Sequence, residues 1–284
     1  MLHLNDMKKI ILPLVLLLAF QTFAAEVDTV SIYSDAMKRS YKAVVIRPDS
    51  YKKKSLSFPT VYLLHGLTGD FSNWITKVPQ LKKYVDDYQL IVVCPDGAYS
   101  SWYVDSPVDS SIRFETYVSK EIPAYIEKNY RTVADRRARA ITGLSMGGHG
   151  GLYLGFRHAD YFGAVGSMSG ALAIELIVDK RYQMDKILGD PAKTKYRDYS
   201  IFGEMERYPK DSVSIIMDCG TEDFVLEMSR LAHKRMLELK IPHEYTERPG
   251  KHDWAYWANA VQYQLLYFRN YFNRQAAVQQ AASK

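Results

Sequence analysis

Ser145 stands in the run Gly143-Leu144-Ser145-Met146-Gly147, with a glycine two places before it and another two places after. A serine hydroxyl is a weak nucleophile until a neighbouring base takes its proton. Glycines at those two positions let a chain turn sharply from strand to helix with the serine at the apex, facing the positive end of the helix. Two further groups follow in order: Thr221-Glu222-Asp223 and Lys251-His252-Asp253. Serine, then acid, then histidine is one of the chain orders in which hydrolytic triads occur. In that reading His252 takes the Ser145 proton as general base, and Asp223 fixes the imidazole tautomer and stabilises the cation that forms. Glu222, Asp218 and Asp253 compete for the acid role. Asp218 falls inside the preceding strand and Asp253 is too close in sequence to orient its neighbour's ring, so Asp223 is favoured.

A tetrahedral oxyanion needs backbone donors. Met146, directly after the serine, offers one N–H. The run His65-Gly66-Leu67-Thr68-Gly69 offers the second at Leu67, with Gly66 letting the backbone come close to a substrate. Trp102 and Tyr103 lie in a loop between Gly97 and Pro107, where an aromatic pair can stack on a sugar or a phenolic acid. His149 reads as a packing residue behind the serine, and His65 as the residue preceding a required glycine. His158, His233 and His243 are not spaced as ligands, and no H-E-x-x-H occurs, so neither a metal nor another cofactor is expected.

The elements that must position these groups follow from hydrophobic pattern. Residues 27–34 and 41–46 alternate as an antiparallel pair. Thr60–Leu64, Leu90–Cys94, Ala140–Ile141, Ala164–Met168 and Val213–Cys219 are short, largely apolar runs, as in strands covered on both faces of a parallel sheet. His243–Thr246 is the last strand. Helical spacing marks 81–87, 113–129 (with Pro123 as a kink or new first turn), 226–239 and a final helix from Trp254. Strands alternating with helices predict one α/β domain over 25–274, with a mostly parallel central sheet and helices on both faces. The stretch from about Ala171 to Asp211, charged and rich in tyrosine, is predicted to form a small cap. The tail 275–284 is expected to fray.

Of the 284 residues, 47% are hydrophobic and the net charge is +5 with its charges interspersed, which suits a packed core and disfavours nucleic-acid binding. Residues 1–24 read as a signal peptide: Lys8-Lys9, an apolar run from Ile10 to Phe20, then small residues at Ala24-Ala25. That predicts periplasmic or secreted protein. The apolar run is short for a membrane span and no cysteine adjoins the cleavage site, so no stable membrane anchor is expected.

Taken together, Leu64-His65-Gly66-Leu67, the extended Gly143-Leu144-Ser145-Met146-Gly147-Gly148-His149-Gly150, the Asp223 turn and His252 resemble the esterase-D-like branch of the α/β-hydrolases. That branch includes S-formylglutathione hydrolases, acetyl and feruloyl esterases, and mycolyltransferases. Within it, Ser101-Trp102-Tyr103-Val104-Asp105-Ser106 looks most like the secreted carbohydrate esterases. The resemblance implies a serine carboxylesterase acting on acetyl- or feruloyl-type esters of carbohydrates, or on other small esters. The alternatives are an acyltransferase that passes the acyl group to a sugar, or a non-catalytic carbohydrate-binding protein. In that family's strand order Cys94 and Cys219 lie about four strands apart, roughly 19 Å at ~4.8 Å per strand. A disulfide needs Cα atoms within about 7 Å, so both thiols are expected to stay free.

Overall fold

The computed structural model describes residues 25–177, 179–208 and 213–282. The signal-peptide reading of 1–24 therefore lies outside the described residues. Among the described residues eight strands form one sheet: β1 (Glu26–Ser34), β2 (Arg39–Arg47), β3 (Thr60–Leu64), β4 (Ile91–Pro95), β5 (Arg139–Gly143), β6 (Ala164–Met168), β7 (Ser214–Gly220) and β8 (Glu244–Arg248). Their order across the sheet is β1-β2-β4-β3-β5-β6-β7-β8. β1 pairs antiparallel with β2 and β2 with β4, while the pairs from β4 to β8 are parallel.

The apolar strands have two buried faces, and their side chains alternate between two cores. Tyr62, Leu64, Ile91 and Val93 enter the core shared with helices 114–129, 146–157 and the insertion. Val61, Leu63, Val92 and Cys94 enter the core covered by helix 81–88 and the C-terminal helix. Continuous apolar sequence is what a strand buried on both sides requires. Cys94 on β4 and Cys219 on β7 are four strands apart, and both are buried free thiols.

Across 114–129, Pro123 marks a new first turn, the second of its two readings. Tyr117–Glu121 forms a π-helical stretch, and Pro123 lies in the first turn of the α-helix Ile122–Asn129 that continues from it. The wider turn opens the backbone where proline removes a donor and crowds the carbonyl four residues earlier. The tail does not fray at 275: the last helix runs Trp254–Ala282, and Gln279 donates a 3.0 Å hydrogen bond to Asp135.

The insertion after β6 consists of short helical turns. Among them Met184–Leu188 and Ile201–Arg207 carry buried faces, and Ile174–Leu176 and Lys180–Tyr182 approach the carboxyl ends of the strands. The sheet thus presents the ends of β3, β5, β7 and β8 to one side, beneath the insertion, the usual place for ligands in open α/β sheets.

Candidate active site

The turn after β5 is as tight as its glycines suggest. Ser145 has φ 54° and ψ −115°, a conformation that L-residues rarely adopt and that is held here by its surroundings. A Cβ on Gly143 would lie 2.6 Å from Leu64 O, and one on Gly147 would lie 2.5 Å from His65 O. Neither position accepts a larger residue without moving backbone. Ser145 N–H donates to Met168 O at 3.0 Å, and Ser145 O accepts the N–H of His149 at 3.0 Å, so the apex is fixed from both sides.

His252 reaches this apex from the loop after β8. Its Nε2 lies 2.9 Å from Ser145 Oγ, and its Nδ1 lies 2.9 Å from each oxygen of Asp223. Nδ1 faces a carboxylate and so carries the proton, which leaves Nε2 as the acceptor of the serine hydroxyl proton. Asp223 is buried, and its Oδ1 also accepts the Val225 N–H at 3.0 Å. Burial alone pushes the Asp223 carboxyl up; hydrogen bonds from His252 and from the Val225 N–H outweigh it and hold the group below its ordinary value. It is therefore ionised where the imidazole needs a counter-charge. The competing acids lie elsewhere. Glu222 is exposed, 3.8 Å from Lys251 Nζ, and Asp253 caps the final helix by accepting Tyr256 N–H at 3.0 Å. Asp218 is buried in a separate network.

The loop after β3 lies against the nucleophile: a Cβ on Gly66 would come 3.4 Å from Ser145 Cβ. His65 clamps this loop, with Nδ1–H donating to Gly66 O at 2.7 Å and Nε2 accepting Gly97 N–H at 2.7 Å. Burial lowers the His65 pKa, keeping the neutral form that this bonding needs. Thr68 N–H is taken by Tyr99 O and Gly69 N–H by Gly66 O, whereas the N–H groups of Leu67 and Met146 have no acceptor among the described residues. Met146 opens the helix Met146–Arg157, where first-turn amides have no intrahelical partner.

The expectation for Trp102 and Tyr103 needs correcting. Both are essentially fully buried and present no face to a ligand. Tyr103 is wedged between Gly97 and Gly150, where added Cβ atoms would fall 2.4 and 2.6 Å from its ring, and its hydroxyl donates to His65 O at 2.9 Å. It is a pillar under the Gly66 loop. Trp102 donates from Nε1 to Tyr182 O at 3.0 Å. Both residues have positive φ, 54° and 58°, which the packing of two large rings offsets. An exposed loop would have no means to hold that backbone.

The residues that do face Ser145 escaped the sequence reading. A cleft of about 280 Å³ is lined by Ser145, Ala171, Leu176, Tyr182, Phe224 and Met228, among others. Phe224 is 69% exposed and Leu176 58%, and the Phe224 ring centroid lies 4.4 Å from that of His252. The one available signal was Phe224's place directly after Asp223. A larger groove of about 550 Å³ lies at the opposite, amino ends of β7 and β8, beside Ser214 and His243, far from this constellation. Among the described residues no three His, Cys, Asp or Glu side chains gather as metal ligands. No helix there is long and apolar enough to cross a membrane.

A mostly parallel sheet with a serine turn after its fifth strand, an acid after the seventh and a histidine after the eighth is the α/β-hydrolase fold. The chain belongs to the Esterase family, whose model matches residues 34–268. It is 27% identical to an acetyl esterase of Caldicellulosiruptor saccharolyticus, over 82% of this chain and 96% of that protein. It is 28% identical to the esterase Rv1288 of Mycobacterium tuberculosis over 73% of this chain, and spans about half of that longer relative, 51%. Among solved structures, a ferulic acid esterase superposes with a TM-score of 0.76 at 28% identity, covering 88% of this chain and 99% of the other. An S-formylglutathione hydrolase from Agrobacterium tumefaciens shares the fold, with a TM-score of 0.75 at 21% identity over 88% and 96% of the two chains.

Proposed function

We propose that this protein is an exported serine carboxylesterase that removes acetyl- or feruloyl-type acyl groups from carbohydrate esters. The observation carrying the chemistry is the relay from Ser145 Oγ through His252 to Asp223, with 2.9 Å at each step, at the mouth of an apolar cleft. Ser145 Oγ attacks the ester carbonyl carbon as its proton passes to His252 Nε2. The oxyanion is held by the N–H groups of Leu67 and Met146. The carbon–oxygen bond to the alcohol then breaks, and His252 returns the proton to that leaving oxygen. Water attacks the acyl-enzyme with its proton going to His252; the bond from the acyl carbon to Ser145 Oγ then breaks, His252 returns the proton to Oγ, and the acid product leaves.

The carbohydrate part of the reading rests on similarity to an acetyl esterase and a ferulic acid esterase. Export is supported by the order of Lys8-Lys9, apolar run and small residues. A fluorophosphonate probe should label Ser145 in the wild type and fail on Ser145→Ala. Acetylated and feruloylated oligosaccharides then identify the acyl group by product analysis. Labelling without release of acid from any ester would overturn hydrolysis. Acyl transfer to an added sugar in preference to water would make the protein a transferase.

A further inference from the structure

The relay depends on where the imidazole of His252 is held, and His252 sits on a short loop, Pro249–Asp253, between β8 and the final helix. Two backbone bonds tie this loop to the acid turn: Thr221 N–H to Arg248 O at 2.8 Å, and Glu222 N–H to Gly250 O at 2.9 Å. These fix the loop's start. Its return into the helix is fixed by a different device, built around a buried carboxylate that the reaction does not use.

Asp218, on β7, is 1% exposed. Its Oδ1 accepts the Tyr256 hydroxyl at 2.9 Å and its Oδ2 accepts Gln264 Nε2 at 2.9 Å; Arg248 Nη1 stands 3.7 Å from Oδ1. Gln264 Nε2 also donates to Ser167 O at 2.9 Å, and Gln264 Oε1 accepts the Thr142 hydroxyl. The network therefore joins β5 three residues before Ser145, β7 five residues before Asp223, and the helix that follows His252. At its end the Tyr256 ring packs on Gly250, two residues before His252: a Cβ there would lie 2.6 Å from Tyr256 Cδ2, and Gly250 has φ +147°. A buried carboxylate is costly, and apolar groups of similar volume would stabilise at least as well. Its position between the three triad-bearing segments suggests a role in geometry.

We propose that Tyr256, held by Asp218 and Gln264, is a positioning residue for His252: it sets the height of the His252 loop so that Nε2 and Nδ1 meet Ser145 and Asp223 together. The proposal rests on the triad reading above. Misplacement of a catalytic group by a fraction of an ångström to 1 Å lowers turnover by about tenfold to a hundredfold.

Tyr256→Phe keeps the ring and deletes the bond to Asp218. The expected result on p-nitrophenyl acetate is a roughly tenfold or greater fall in kcat with KM little changed. The low-field proton resonance of His252 Nδ1–H should shift or broaden in parallel. Asp218→Asn keeps the volume and loses the charge. It should show the same two effects, and the double variant should be no worse than the stronger single one. Should Tyr256→Phe fail to fold, Asp218→Asn is read alone on the same two measures. Normal kcat and an unmoved Nδ1–H resonance, with only a lowered melting temperature, would overturn the proposal and leave the network purely structural. The two readings separate on the wild type: if Ser145 is not labelled there by fluorophosphonate, the triad reading fails; if it is, a Tyr256→Phe enzyme equal to wild type sinks this inference alone.

Discussion

His149 Nε2 lies 2.9 Å from the backbone oxygen of Tyr199, so the helix that starts at the nucleophile holds down the insertion above it. The ring is buried, stacked on Tyr153 at 5.2 Å and met edge-on by Trp102 at 5.9 Å. Burial pushes its pKa from 6.5 down to about 4. The unfolded chain therefore binds a proton that the folded chain refuses between those values, and stability from this group is full above pH 6.5 and lost as pH falls towards 4. Asp218 acts in the opposite sense. Burial raises it from 3.8 to about 6, so the penalty for its charge fades as pH falls through that window. The wild type should show a shallow acid limb because the two partly cancel. His149→Gln keeps a donor for Tyr199 O and removes the titration, so urea midpoints measured from pH 7.5 to 4.5 should hold level or rise. A limb as steep as wild type would show that His149 does not set it.

Trp102→Ala should act through the fold. The indole is buried and supports Tyr182, which lines the cleft. Truncating a buried Trp costs about 3–5 kcal/mol. The melting temperature should fall, and activity should fall by similar factors on p-nitrophenyl acetate and on feruloyl or sugar esters. A loss confined to the large substrates would return Trp102 to direct contact with them.

How much was legible in advance follows the range of the signal. The strands of the sheet declared themselves because a segment covered on both faces must be largely apolar, as at Leu90–Cys94 and, with Ser167 as its one polar side chain, Ala164–Met168. Ser145 was legible because its strain is local, and only glycines at 143 and 147 clear the neighbouring backbone. Trp102 and Tyr103 misled because their burial comes largely from Gly150, His65 and Tyr182, partners far along the chain. The same holds for His233 and His243, unrelated by spacing yet brought to 2.8 Å, Nδ1 to Nε2, by the packing of helix Leu226–Glu238 beside β8.

Phe224→Ala should discriminate between acyl groups. The exposed ring stands beside His252 and lines the cleft together with Leu176 and Tyr182. Covering such a ring with substrate is worth about 1.5–3 kcal/mol, or roughly a tenfold to hundredfold change in kcat/KM. That loss is expected on a feruloyl ester and hardly at all on an acetyl ester. Equal effects on both would place the acyl group outside this cleft.

The mature amino terminus should be Ala25. Its N lies 2.8 Å from Asp86 Oδ2, while Asp86 Oδ1 accepts the Asp49 N–H at 2.7 Å. Cleavage after Ala24 would turn that N into an ammonium facing a carboxylate. The pair is partly exposed, so Asp86→Asn should lower the stability of the processed chain by only about 1 kcal/mol. Mass spectrometry of exported protein still carrying Ile10–Phe20 would refute the cleavage.

The acid assignment makes the sharpest demand. Asp223 and Glu222 are neighbours in sequence, but only Asp223 is buried with both oxygens 2.9 Å from His252 Nδ1, while Glu222 points to Lys251. Asp223→Asn presents an amide to Nδ1 and favours the wrong imidazole tautomer, so kcat should fall at least about a hundredfold. Glu222→Gln should be near wild type. Ser145→Ala and His252→Ala should each cost several orders of magnitude, and the double variant about as much as one of them, because a serine without its base is as inert as no serine. Circular dichroism should show all four folded, since the relay adds little to the core. If Glu222→Gln collapsed while Asp223→Asn survived, the relay would have to be redrawn through the neighbouring carboxylate. If Ser145→Ala kept its activity, the chemistry would belong to another group altogether.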